Sequence, residues 1–159
     1  MRKLKGHIDV AFINKTFFPE YLDVAIINYG ECFIWAYIAY RLYSNLELWD
    51  MEAHAFVRST KTGKFYDSER PQGVDDWKEL PATNSGQGCG CYTCQLPAQK
   101  YLSVATFCDT WKDQQERFGI DYKEIDRRIE RVIKGYKRHA TKRRTSRRSD
   151  SRLCFDEAE

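Results

Sequence analysis

The sequence predicts an α+β fold: a small antiparallel sheet packed on a buried central helix, followed by a helical C-terminal half. Three observations predict it. Residues 32–46 hold an apolar run that would cover nearly the whole circumference of a helix. Residues 53–67 read as two short strands flanking Thr60-Lys61-Thr62-Gly63. Beyond residue 97 the apolar residues return to helical spacing. With 159 residues, 42% of them hydrophobic, the chain has material for one packed core and is not mainly disordered.

The elements follow in order. Residues 8–13 mix apolar and polar positions and suggest a strand. Pro19 suits the first turn of a helix, which would run through Tyr21, Leu22, Val24, Ala25 and Ile26 to Tyr29-Gly30. The central helix begins at Cys32, and the Asn28-x-x-Glu31 spacing suggests a cap for its start. Its residues Phe33, Ile34, Trp35, Ala36, Ile38, Ala39, Leu42 and Tyr43 are apolar on all sides, which places it at the centre of the domain. The hairpin comes next, then a loop over 71–84 anchored by Trp77, and a segment rich in Gly and Cys over 85–94. Helical spacing covers 97–118 with Gly119 as the stop, and Asp121-x-x-Glu124 opens a last helix carrying Ile125, Ile129, Val132, Ile133 and Tyr136.

Charge divides the chain. Residues 137–152 contain eight Lys/Arg and one acid, whereas residues 1–136 are nearly balanced at eighteen basic and nineteen acidic. The expected organisation is therefore one globular domain over 1–136 and a flexible tail over 137–159, basic and then acidic. Such a tail suits weak, salt-sensitive contact with nucleic acid, although no aromatic residue between Arg138 and Leu153 offers a stacking surface. No apolar run reaches the roughly 18 residues of a membrane span, and Arg2, Lys3 and Lys5 precede no signal-peptide core, so a soluble cytoplasmic chain is expected. Six cysteines in that setting point to thiols, a metal or catalysis before disulfides.

Cys32, His54 and Asp67 form the constellation that carries chemistry. A thiol attacks as its thiolate, which a helix N-terminus and a nearby imidazole both favour. Cys32 opens the central helix, whose first backbone donors could also hold an oxyanion. His54 lies on the first hairpin strand and Asp67 just along the second. A turn around Lys61-Thr62 sets Phe56 opposite Asp67, making His54 and Asp67 diagonal neighbours on one face. A carboxylate so placed can orient the imidazole and stabilise it when protonated, as in a Cys-His-Asp triad.

The order Cys on a helix, His on a strand, Asp on the next strand resembles the papain-like superfamily. Gly30-Glu31-Cys32-Phe33-Ile34-Trp35-Ala36 resembles its nucleophile region. His54-Ala55-Phe56-Val57 with Gly63-Lys64-Phe65-Tyr66-Asp67 is similar to the transglutaminase-like branch, and small viral leader proteases of the papain-like type are similar too. The resemblance spans residues 28–68. It implies a papain-like or transglutaminase-like core and a cysteine-dependent hydrolase or acyltransferase acting on an amide, peptide or isopeptide bond. The triad would be Cys32, His54 and Asp67, the substrate a protein or peptide, and no soluble cofactor would be required. Asn28 stands four residues before Cys32, near where papain-like proteases place a Gln in the oxyanion hole.

Further thiols open an alternative. Gln87-Gly88-Cys89-Gly90-Cys91-Tyr92 superficially resembles a papain nucleophile motif, but its spacing is wrong and Pro97 interrupts the helix that should follow. Cys89, Cys91 and Cys94 instead bring three soft ligands into one loop, and Cys108 supplies a fourth for tetrahedral zinc. The same four are equally readable as reduced thiols. The alternative function is thus a non-catalytic protein, zinc-binding or a papain-like scaffold, that binds nucleic acid or another protein.

Overall fold

A computed structural model describes residues 3–51, 54–81 and 97–150, the last fourteen of these by backbone alone. The chain is mixed α+β, with a four-stranded antiparallel sheet and six α-helices among the described residues. It divides into two compact units, Lys3–Asp121 and a second containing Tyr122–Glu159. The sequence placed that boundary after residue 136.

Helix α1 spans Val10–Phe17, where the sequence suggested a strand. The Asp9 carboxylate caps it, accepting from the backbone N–H of Phe12 at 2.9 Å, and Val10, Ile13 and Phe17 are its buried residues. That spacing is helical, but a window closing at Ile13 leaves Phe17 out. Pro19 opens no helix. Residues 18–24 form turns and α2 is a single turn, Ala25–Asn28. Leu22 is fully exposed and Ile26 half exposed, so no apolar face holds a longer helix there.

Helix α3, Cys32–Leu42, is the buried centre, and only Tyr40 and Arg41 fall outside its buried set. It stops earlier than the periodicity implied. Tyr43 is extended, and Asn45 takes a φ of 64°, a left-handed conformation that Asn tolerates. The chain then enters β1, Leu46–Met51, which the sequence reading did not assign as a strand.

Strands β2 (His54–Ser59), β3 (Phe65–Tyr66) and β4 (Gln99–Lys100) complete the sheet in the order β3-β2-β1-β4. The β2–β3 turn is closed by Gly63, with φ of 75°, whose N–H donates to the Ser59 carbonyl at 2.8 Å. Val57 pairs with Tyr66 and Arg58 with Phe65, a register that carries on to Phe56 opposite Asp67. Alternation puts His54 and Phe56 on one face of β2, and Ala55 and Val57 on the other. Helix α3 packs against β1 and β2. A second apolar cluster joins Met51, Phe56, Phe65 and Leu80, flanked by Trp49, Val74 and Trp77.

The 97–118 stretch is broken, not continuous. Edge strand β4 comes first, then α4 (Val104–Thr110), capped by the Ser103 hydroxyl, then α5 (Lys112–Arg117). Trp111, at the junction of α4 and α5, stacks on Phe33 of α3 with ring centroids 5.4 Å apart. Gly119 ends the segment at φ 63°. In the second unit, α6 runs from Tyr122 to Asp150, so helical backbone continues through most of the basic run expected to be a flexible tail. No helix among the described residues is long and apolar enough to cross a membrane.

Candidate active site

Cys32 is the first residue of α3, so its side chain sits where the helix dipole is positive. The cap expected from Asn28-x-x-Glu31 does not form. Glu31 is the N-cap residue but makes no capping bond; its carboxylate accepts instead from the Tyr21 hydroxyl at 2.8 Å. That bond, helped by burial and by the charges of Glu31 and Glu20, pushes the Tyr21 phenol up to about 12.

The hairpin brings the other two residues together. His54 begins β2 and Asp67 follows β3, and their side chains meet on the shared face with His54 Nε2 3.2 Å from Asp67 Oδ2. Both are buried, at 2% and 0% exposure. The Phe56 ring lies 5.8 Å from the imidazole, centroid to centroid. His54 Nδ1 is also buried, and the neighbouring Cys32 thiol interacts with the ring. Cys32 Sγ meets the same strand one residue on, accepting from the backbone N–H of Ala55 at 3.4 Å.

Opposing effects set the charge of this imidazole. Burial alone would lower its pKa, because a charged ring loses its hydration. The Asp67 hydrogen bond, the neighbouring Cys32 sulfur and the charges of both outweigh burial and raise it from 6.5 to about 9. The balance favours the charged form of the ring, set between a carboxylate and a sulfur.

Asn28 is engaged with the turn that carries Asp67. Its Nδ2 donates to Asp67 Oδ2 at 3.2 Å and to Glu69 Oε2 at 2.7 Å, which engages both amide hydrogens. Its Oδ1 accepts from the Ser68 hydroxyl at 2.8 Å. Asn28 thus braces the turn that carries Asp67 and has no hydrogen left to offer a substrate oxygen at Cys32. The remaining Asp67 oxygen accepts from the Glu69 N–H at 2.9 Å. Asn14 of α1 pins the same turn, donating to the Ser68 carbonyl at 2.8 Å and accepting from the Trp35 indole at 2.7 Å. Sequence reasoning missed Asn14, Ser68 and Glu69. The one available signal was the polar run Asp67-Ser68-Glu69 directly after a strand.

A second buried carboxylate lies on β1. Asp50 is 2% exposed, and its Oδ2 accepts from the Tyr101 hydroxyl. Burial raises the Asp50 pKa, and the hydrogen bonding of Tyr101, Gln99 and Trp111 offsets only part of that. Burial, and then the bond to Asp50, raise Tyr101 to about 12. A cleft of about 140 Å³ lies beside this pair, lined by Tyr40, Leu46, Leu48, Lys100, Tyr101 and neighbouring residues. Cys32, His54 and Asp67 do not line it.

Cys89, Cys91 and Cys94 lie outside the described residues. Cys108 is on α4 and partly buried. Among the described residues no group of three or more His, Cys, Asp or Glu side chains is arranged to hold a metal ion. The chain matches no family model, no curated protein and no solved structure.

Proposed function

We propose that the protein is a cysteine-dependent hydrolase or acyltransferase of the papain-like or transglutaminase-like kind, acting on an amide, peptide or isopeptide bond of a protein or peptide substrate. The observation that carries this reading is the division of the His54 ring. Nε2 is committed to Asp67, and the rest of the ring is left to the Cys32 sulfur at a helix start. In the reaction, Cys32 Sγ as thiolate attacks the carbonyl carbon, and the carbonyl electron pair moves onto oxygen. Backbone donors in the first turn of α3 would stabilise that developing charge. The tetrahedral species collapses with cleavage of the C–N bond, and the imidazolium delivers its proton to the leaving amine. A thioester remains. Water or a second amine then attacks it, losing a proton to His54 as the thiolate leaves. Asp67 orients the ring and stabilises its charged form throughout.

The burial of Cys32, at 3% exposure, favours a second reading. In it the same cluster is a satisfied polar core of a non-catalytic scaffold, and Cys32 is packing. Alkylation separates the two. Iodoacetamide should modify Cys32 at pH 6, followed by mass spectrometry of its peptide, and His54→Ala should slow this by about 100-fold. A Cys32 that stays unmodified at pH 6, or whose rate ignores His54→Ala, overturns the enzyme reading in favour of the scaffold.

A further inference from the structure

Asn28 has a more specific part, and the inference rests on the enzyme reading above. We propose that Asn28 is a positioning residue for the reaction, acting through Asp67 and not as an oxyanion donor. Three features carry it. Asn28 is itself buried, at 3% exposure, and its amide lies between two carboxylates that would otherwise face each other. Its orientation is fixed, because an amide oxygen turned toward Asp67 and Glu69 would meet only acceptors. The Ser68 hydroxyl, whose one hydrogen is shared between the Asn28 Oδ1 at 2.8 Å and the Val24 carbonyl at 3.0 Å, holds the opposite end. Asp67 Oδ2 then takes Asn28 and His54 together, and Oδ1 takes the Glu69 N–H. The carboxylate is fixed from three directions, so the single bond it makes to the imidazole has one geometry.

The chain of contacts runs Glu69, Asn28, Asp67, His54, Cys32. Each link bears on the next, and only the last two residues touch reacting atoms. Removing the amide frees Asp67 to turn and sets it against Glu69. The imidazolium loses part of its support, and the thiolate beside it loses its counter-charge. The charged groups facing the ring are Asp67 and Cys32, and those facing the Asn28 amide are Asp67 and Glu69.

The test is the pH profile of Cys32 alkylation in the full chain. With Asn28→Ala, the rate at pH 6 falls about tenfold, while the rate at pH 9.5 stays near that of the unaltered protein. In an Asp67→Asn background the same change adds nothing, because the group it acts through is gone. A merely structural role would lower the melting temperature and leave the pH profile unmoved. An unmoved profile, or equal losses in both backgrounds, overturns the proposal. Should Asn28→Ala fail to fold, the unaltered protein serves: its Asn28 side-chain amide resonances must shift as His54 titrates, and shifts independent of that titration overturn the proposal. If His54→Ala leaves alkylation unchanged, the enzyme reading falls and takes this one with it. If only the Asn28 variant is silent, the enzyme reading stands without it.

Discussion

Asp67 and Asp50 are both buried carboxylates of one small sheet, with a single strand between them, yet their surroundings differ in kind. Asp67 receives the imidazole, the Asn28 amide and the Glu69 N–H across its two oxygens. Asp50 receives the Tyr101 hydroxyl, with Gln99 and Trp111 as further neutral donors. Asp67 is furnished as the counter-charge of a cation. Asp50 is furnished as a group that burial pushes toward its neutral form. Burial of a carboxylate is therefore not by itself a sign of chemistry; the charge of its donors separates the two sites.

The difference can be broken by mutation. Asp67→Ala strands a buried imidazolium and should cost about 3–5 kcal/mol in a urea melt at pH 7. Asp50→Ala leaves neutral donors, the Tyr101 hydroxyl first among them, without their acceptor and should cost about 1–3 kcal/mol. Equal losses would erase the distinction. Next in size is a pH effect. The His54 pKa is raised above its unfolded value of 6.5, so the stabilisation is complete below about pH 6.5 and is lost as pH rises through about 9. The decline should be on the order of 2–3 kcal/mol, and His54→Gln should flatten the stability curve across that window. Smallest is Tyr101→Phe, which should cost about 1 kcal/mol and leave Cys32 alkylation at pH 6 unaltered. A slowed alkylation there would show that the two carboxylates are coupled.

Short-range rules of the sequence found the hairpin and the meeting of His54 with Asp67, since two-residue periodicity and a four-residue turn fix which residues share a face. The buried helix was visible because its apolar residues go all the way round. Its end was not. Leu46 extends the helical pattern of α3, while Leu46 and Leu48 also alternate with Glu47 and Trp49, and Asn45 in its left-handed conformation decides between the two. Asn28 was noticed in the sequence, but its partners were not. Its spacing to Glu31 suits a cap and its place before Cys32 suits an oxyanion donor, whereas its partners come from residues about forty positions away. No local rule reaches so far. The same holds for Asn14, which joins α1 to Ser68 across 54 residues.

The pairing of β2 with β3 has a consequence for how this chain tolerates change. Side chains alternate across a strand, and β2 is held along its whole length by β1, so a slip of one residue at the 60–63 turn would carry the Asp67 carboxylate to the opposite surface of the sheet, away from His54. Loop length, a property usually free to drift, is here under the same constraint as the reactive groups themselves.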